Sequence, residues 1–349
     1  MAPLANLNKN SKLLKFGKVG TKDKFESIYG LPYYHGAKKA LIKSPLSFLK
    51  LSFLFKDWIK GSDAIVITGP SHIASMILLC MYAMHVEIPV FLFVRGDKLK
   101  TIDESFSGIF KKVAKYGTLV YYKIIHIFIK NKIIRGVIGV GDFTLQAKEF
   151  LKANKIAIYP MVSDILLKNP KSKYFNGPLT YGYVGRLDPE KKPLEIIKLF
   201  TMIRENNERL IMVGSGSMFS IIKAFIKQHD LLDIVSIYPP YSSKEELIDI
   251  LDKIHVFIHL ASTGSGRSVY EAMARKCVPI VSVGGIDNYL FNGQNCFLLK
   301  SIEDMKRIYP YFRDASYMKD LSNNARLTAQ KLTFTRMRNK MLNFIKSHI

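Results

Sequence analysis

The sequence predicts an α/β protein of two doubly wound, Rossmann-like domains, each a parallel sheet covered by helices, with a ligand cleft between them. Three observations predict it. Short apolar runs alternate with stretches of helical period over most of the 349 residues, as parallel strands joined by crossover helices require. The run NPKSKYFNGP at 169–178 has no period and is rich in Pro, Asn, Lys and Gly, so it reads as a linker. Beyond it the alternation starts afresh. The expected domains are therefore 1–168 and 178–334, with a helix over 335–349 packing back on the first.

In the first domain, DAIVITGP at 63–70 is a short buried strand ended by a Gly-Pro turn. A helix over 71–85 follows, then the strand IPVFLFV at 88–94 and a helix over 104–131. The strand GVIGV at 136–140, a helix over 142–154 and the strand KIAIY at 155–159 complete it. The opening strand is expected at 12–19. The second domain reads as strands at 181–185, 210–214, 234–238, 255–260 and 278–283. Helices at 193–206, 217–229, 243–252 and 267–275 lie between them, and 317–348 is helical throughout. In two such domains ligands sit beyond the carboxyl ends of the strands.

Composition narrows the function. The formal charge is +24, and residues 1–180 hold 28 Lys+Arg against 11 Asp+Glu. A basic first half suits a polyanionic partner: nucleic acid, anionic lipid or a phosphorylated substrate. No helix-turn-helix, ribonucleoprotein aromatic motif or zinc module is legible, which argues against specific nucleic-acid binding. Cys80, Cys277 and Cys296 have no C-x-x-C spacing and an odd count, as in a reducing compartment. The first ten residues lack an apolar core, so no signal peptide is expected, and no apolar run reaches membrane-spanning length. The expected location is cytoplasmic, free or peripheral on the inner face of a membrane.

Two stretches carry the chemistry. TGSGRSVYE at 263–271 is a glycine-rich turn running into a helix. Such a helix start offers unpaired N–H groups and the positive end of the macrodipole. Gly264 and Gly266 leave room for a phosphate, Ser265 and Ser268 add hydroxyl donors, and Thr263 and Arg267 flank them. Glu271, about one turn in, can accept both hydroxyls of a ribose. GRLDPEK at 185–191 places Gly185 at a strand end, then Arg186 and Lys191, a fork-shaped and a point cation suited to a pyrophosphate. A third turn, VGSGSM at 213–218, brings Gly214 and Gly216 after another strand, and Tyr238 ends the next. Parallel strands end on one side, so these turns converge. Taken singly, the first turn reads as a helix cap and the second as a surface turn.

With these motifs in view, residues 178–300 resemble the donor domain of retaining glycosyltransferases of the GT-B fold, in the large family four. The resemblance rests on GRLDPEK at 185–191, the GSG turn at 214–216 and SKEEL at 243–247. It continues through SVYEAMA at 268–274, VPIV at 278–281, GGI at 284–286 and NGQN at 292–295. SDAIVI at 62–67, IPV at 88–90 and IYP at 158–160 match more weakly. The resemblance implies that Arg186 and Lys191 bind the donor pyrophosphate and stabilise the departing nucleotide. It implies that Glu271 binds the ribose and that the backbone at 264–266 touches sugar and phosphate. It also implies metal-independent transfer with retention, in which the leaving phosphate takes the acceptor proton. The donor is a nucleotide-diphosphate sugar, with no further cofactor. The chain has no D-x-D motif and no zinc spacing.

Two positions depart from the family. The Glu usual eight residues before Glu271 is Thr263 here, and the His usual after the strand equivalent to FLFV at 91–94 is replaced by Arg95, followed by Gly96 and Asp97. Arg95 and Gly96 are acceptor-side candidates. Asp97 and His72, which follows the strand at 63–70, are candidates for contacts near the acceptor. His85, His126, His255 and His259 lie in apolar segments and read as packed. Two segments mix apolar residues with lysine, Ser44–Lys60 and Lys111–Lys132. In the second, Lys112, Lys123 and Lys130 share one helical face, with Tyr121, Tyr122, Ile125, Phe128 and Ile129 between. Both suit an anionic membrane surface; both suit equally a core-facing helix with solvated lysines. A nucleotide-sugar epimerase and a non-catalytic nucleotide-sugar-binding relative are the alternatives to a transferase.

Overall fold

The computed structural model describes residues 12–16, 27–31, 59, 62–69, 72–94, 99, 102, 107–159, 162–261, 266–283 and 288–349. The chain divides into two units, Met1–Tyr159 with Met337–Ile349, and Pro160–Arg336. It is mixed α/β, with parallel pairing in every described sheet.

In the first unit β1 (Lys12–Phe16) pairs in parallel with β2 (Ser27–Leu31) as a separate two-stranded sheet. The main sheet has β3 (Ile65–Thr68), β4 (Val90–Val94), β5 (Ile134–Val140) and β6 (Lys155–Ile158), in that order. Helices α1 (His72–Ala83) and α2 (Gly108–Lys130) make the first two crossovers. All five residues of β4 are buried, because a central parallel strand is covered on both faces.

The expected helix over 142–154 does not form. Two short 3-10 turns, Asp142–Leu145 and Lys148–Phe150, replace it. Local side-chain bonds win there over a helix ladder: Thr144 Oγ1 donates to Gly141 O at 2.7 Å, and Tyr159 OH donates to Asp142.

Among its described residues the second unit holds six strands: β7 (Thr180–Val184), β8 (Arg209–Val213), β9 (Val235–Tyr238), β10 (Val256–His259), β11 (Val278–Ser282) and β12 (Phe297–Leu299). Their order across the sheet is β9-β8-β7-β10-β11-β12. Counted from the first strand this is 3-2-1-4-5-6, the dinucleotide-binding order, whose direction reverses between β7 and β10. Four helices cover it between strands: α3 (Pro193–Ile203), α4 (Phe219–Gln228), α5 (Lys244–Lys253) and α6 (Gly266–Ala274). Each starts where its sequence allows. Pro193 stands at the first position of α3, and Ser243 caps α5 by accepting Glu246 N at 3.0 Å. The core gathers Tyr181, Ile196, Phe200, Leu210, Met212 and Ile258, all essentially inaccessible, each contributing about 2 kcal/mol by burial.

Three differences from the sequence reading concern the second half. The strand β12 and the helix α7 (Met305–Phe312) were not legible. The stretch 317–348 is two helices, α8 (Ala315–Lys331) and α9 (Phe334–Lys346). The chain breaks between them because Val162 N donates to Leu332 O and Phe334 N to Val162 O, both at 2.9 Å. The last part of α9 sits on the first unit: Phe344 packs edge-on to Phe91, and Lys340 Nζ donates to Ala157 O at 2.9 Å.

The stretch 169–178 is packed into the second unit. Phe175 belongs to its core, and the buried Lys173 ammonium donates to the carbonyls of Leu251 and Asp252 at 2.8 and 2.6 Å. Arg275, 1% exposed, grips the Asp252 carboxylate with two bonds of 2.8 and 2.7 Å. It also donates to the carbonyls of Leu166, Lys168 and Asn169. That one guanidinium joins the C-terminal ends of α5 and α6.

Arg275→Ala leaves Asp252 buried and unpaired, and should lower stability by about 3–5 kcal/mol in urea unfolding. A pH effect follows from His255. Its Nδ1 accepts Thr180 N at 3.0 Å. Burial, helped by the Lys173 charge, brings its pKa down to about 4 from 6.5. The folded state therefore favours the neutral ring. The stabilisation is complete above pH 6.5 and is lost as pH falls from 6.5 towards 4, by roughly 2 kcal/mol after solvent screening is allowed for. His255→Gln, which keeps an acceptor, should flatten that decline in thermal melts.

Candidate active site

The site residues of the second unit gather at the carboxyl ends of β7, β8 and β10, on either side of the strand-order reversal. The loop after β7 is held by the loop after β8. Gly185 N donates to Val213 O at 3.0 Å, Leu187 N to Ser215 O at 2.9 Å, and Met218 N to Leu187 O at 2.9 Å. The approach is close enough to demand glycine. A Cβ on Gly214 would lie 1.8 Å from Gly185 O, and one on Gly216 would lie 2.5 Å from Leu187 O. The GSG turn therefore shapes the neighbouring loop.

Asp188 completes the join. Its Oδ1 accepts Ser217 N at 2.9 Å and Ser217 Oγ at 3.0 Å. These bonds, the backbone one first, hold its carboxyl below the usual range. Its Oδ2 accepts Arg186 Nη1 at 2.7 Å, and Glu190 accepts Arg186 Nη2 at 2.5 Å. Arg186 is 65% exposed and turned onto its own loop. Lys191 is half-buried at the end of a single 3-10 turn, Pro189–Lys191. Burial lowers its pKa, and the nearby Arg186 cation lowers it further. The two expected pyrophosphate cations are thus close enough to repel one another.

Across the reversal, α6 begins at Gly266 with Arg267 and Ser268 in its first turn. Glu271 is buried, 4% exposed, so it is not a solvated helix residue. Its Oε1 accepts Lys244 Nζ at 2.9 Å. Lys244 is the first residue of α5 and also lies over the Tyr241 ring, 5.6 Å from its centroid. Beneath both loops the Tyr183 and His259 rings stack at 6.4 Å with 16° between planes, and Tyr183 OH donates to Arg186 O at 2.7 Å. Burial raises the Tyr183 pKa, which keeps this donor protonated.

The structure brings together Gly185, Arg186, Lys191, Gly214 and Gly216 on one side of the reversal and Gly266, Ser268 and Glu271 on the other. Tyr238 is exposed at the end of β9, its carbonyl accepting Gly214 N at 3.1 Å. Arg267 is exposed, with its guanidinium 5.7 Å from the centre of the Phe334 ring. Thr263, Gly264 and Ser265 lie outside the described residues, as do Arg95, Gly96 and Asp97. His72 opens α1, and its side chain is outside them too. Of the four histidines expected to be packed, His259 is buried and His255 half-buried, but His85 and His126 are exposed. The periodicity of an apolar helix does not tell which face meets the sheet.

Sequence reasoning missed Lys244, Asp188, Ser217 and the Tyr183–His259 stack. Lys244 had a signal: SKEEL was part of the resemblance, and a lysine opening a helix beside a buried acid needs a partner. Asp188 had none, because its partner Ser217 is twenty-nine residues away.

Residues 166–330 match the family described as "Glycosyl transferases group 1". No curated protein matches the chain in sequence. Solved structures resemble it in fold. HepE of Anabaena, in complex with UDP and glucose, has a TM-score of 0.69 at 14% identity over 99% of this chain and 95% of that one. A glycosyltransferase from Rickettsia africae has a TM-score of 0.70 at 15% identity over 96% and 89%. TarM has a TM-score of 0.65 at 17% identity; the match covers 86% of this chain and 58% of TarM. Over residues 166–330 the chain is thus similar to the group 1 glycosyl transferases, and it carries the GT-B fold.

Proposed function

We propose that the chain transfers a sugar, with retention and without a divalent ion, from a nucleotide-diphosphate sugar to an acceptor that is lipid-linked or otherwise anionic. The observation that carries this is the placement of Arg186, Lys191 and the start of α6 around one strand-order reversal, with the Glu271 carboxylate buried in the same helix. Two cations and a helix start can neutralise a departing diphosphate as its charge develops. Arg186 must leave Asp188 and Glu190 to reach a phosphate. Ion pairs on an exposed surface are weak, so the exchange is easy. Glu271 keeps acceptor capacity beyond its bond to Lys244, enough for ribose hydroxyls. HepE is described with UDP, which makes uridine diphosphate sugars the first donors to try. The basic first half of the chain supports an anionic acceptor, reached from the inner face of a membrane. The reading of Arg95, Gly96, Asp97, His72 and Thr263 as acceptor-side and donor-sugar contacts remains part of the proposal.

Arg186→Ala and Lys191→Ala should each lower kcat/KM by about 10²–10³, with the pyrophosphate part of donor affinity lost. Glu271→Gln should weaken UDP binding about tenfold and spare a ribose-free pyrophosphate. Proton NMR of the product should show the anomeric configuration of the donor. Normal turnover in both cation variants would refute the site, an inverted product would refute retention, and isomerised donor without acceptor would make it an epimerase.

A further inference from the structure

The outer face of α2 is the strongest feature that donor binding leaves unused. Its buried side is the one carrying Tyr122, Ile125, Phe128 and Ile129, so four of the five residues expected between the lysines at a bilayer are core residues, and Tyr121 is half-buried. The opposite side is also apolar. Ile109 and Tyr116 are 73% and 72% exposed, and Val113, Val120 and Ile127 are exposed with them. At 100° per residue these five fall within an arc of about 60°, and Lys112, Lys123 and Lys130 within about 20° along one edge of it. All three lysines are exposed.

The helix is 23 residues long, has five lysines and contains no Asp or Glu. Its face continues onto neighbours. Leu79 and Tyr82 of α1 are exposed, with the Tyr82 ring edge-on to Phe128. On the other side of the same end of α2, the turn with exposed Lys148, Leu151 and Lys152 approaches where His126 Nδ1 lies 3.4 Å from Glu149 O. No described helix is long and apolar enough to cross a membrane.

We propose that this face of α2 rests on an anionic lipid bilayer, with Ile109, Val113, Tyr116 and Ile127 among the acyl boundary and Lys112, Lys123 and Lys130 at the head groups. An exposed apolar stripe of this extent is unusual unless something covers it. The row of lysines with no acid in the helix selects the occupant. A second copy docked by two-fold symmetry would set lysines against lysines, whereas phosphate head groups complement them. The face is independent of the donor site, so the proposal stands or falls separately from glycosyl transfer.

The test is flotation of the full chain with phosphatidylcholine vesicles, with or without about 30% phosphatidylglycerol, at roughly 0.15 M salt. The wild type should float with the anionic vesicles only. The triple variant K112Q/K123Q/K130Q should partition about 100-fold less, and V113S/Y116S/I127S should lose at least as much. Both should keep the thermal shift produced by UDP in the wild type, or the thermal transition itself if UDP gives none. Wild-type flotation that ignores lipid charge, or unchanged flotation in either triple variant, overturns the proposal. So does a wild-type dimer that the apolar variant dissolves without any effect of lipid. A second readout avoids multiple substitutions. The three native cysteines are buried, so Tyr116→Cys can carry an environment-sensitive dye. Its emission should shift to the blue on anionic vesicles, and an unshifted spectrum is equally damaging.

Discussion

The loops after β7 and β8 touch backbone to backbone, and the candidate site depends on that approach. Only glycine at 214 and 216 leaves room for the carbonyls of Gly185 and Leu187. Once the loops are this close, their amides satisfy one another, and Asp188 reaches across to Ser217. The same carboxylate holds Arg186 by its other oxygen. A cation that would wander on an independent loop is therefore tethered at the carboxyl end of the first strand of the sheet. The strand order does the rest, since the reversal between β7 and β10 opens a crevice at that spot.

The two helices that flank β10 are fixed at both ends by charge. Arg275 and Asp252 form a buried, bidentate pair far from the strand ends, and Lys244 meets Glu271 near them. These pairs differ in purpose. The first is fully enclosed and surrounded by backbone carbonyls that Arg275 also satisfies; removing one partner is damaging because the other cannot find water. The second has a half-exposed lysine, so it can open. A buried carboxylate with a displaceable ammonium is already desolvated and oriented for a polar ligand, and this preorganisation is what a ribose-binding acid requires.

Much of the fold was legible because burial on both faces leaves a plain mark. β4, β10 and β11 are continuous apolar runs, and their helices carry ordinary periods. What failed failed for local reasons. The 142–154 segment has helical composition, yet the Thr144 and Asp142 bonds bend it into single turns. The three residues of β12 are too few to show a period. The long C-terminal helix breaks at Leu332 because a distant residue, Val162, inserts its backbone there. In the site, the cations, glycines and acid were readable as motifs at strand ends. Their partners Lys244, Ser217 and Tyr183 were not, since pairing across strands is a property of the assembled sheet. The exposed stripe of α2 was half-read: the lysine spacing was visible, but which apolar residues stood beside the lysines depended on the side that the sheet claims.

The central claim is that a nucleoside diphosphate lies across the β7–β10 reversal with its ribose on Glu271. The most direct measurement is a crystal structure of the chain soaked with UDP. The account predicts the pyrophosphate within about 3 Å of the Lys191 ammonium and the Arg186 guanidinium, and ribose hydroxyls on the Glu271 carboxylate at similar distance. A nucleotide bound elsewhere, or one at the reversal with its ribose turned away from Glu271, would contradict it.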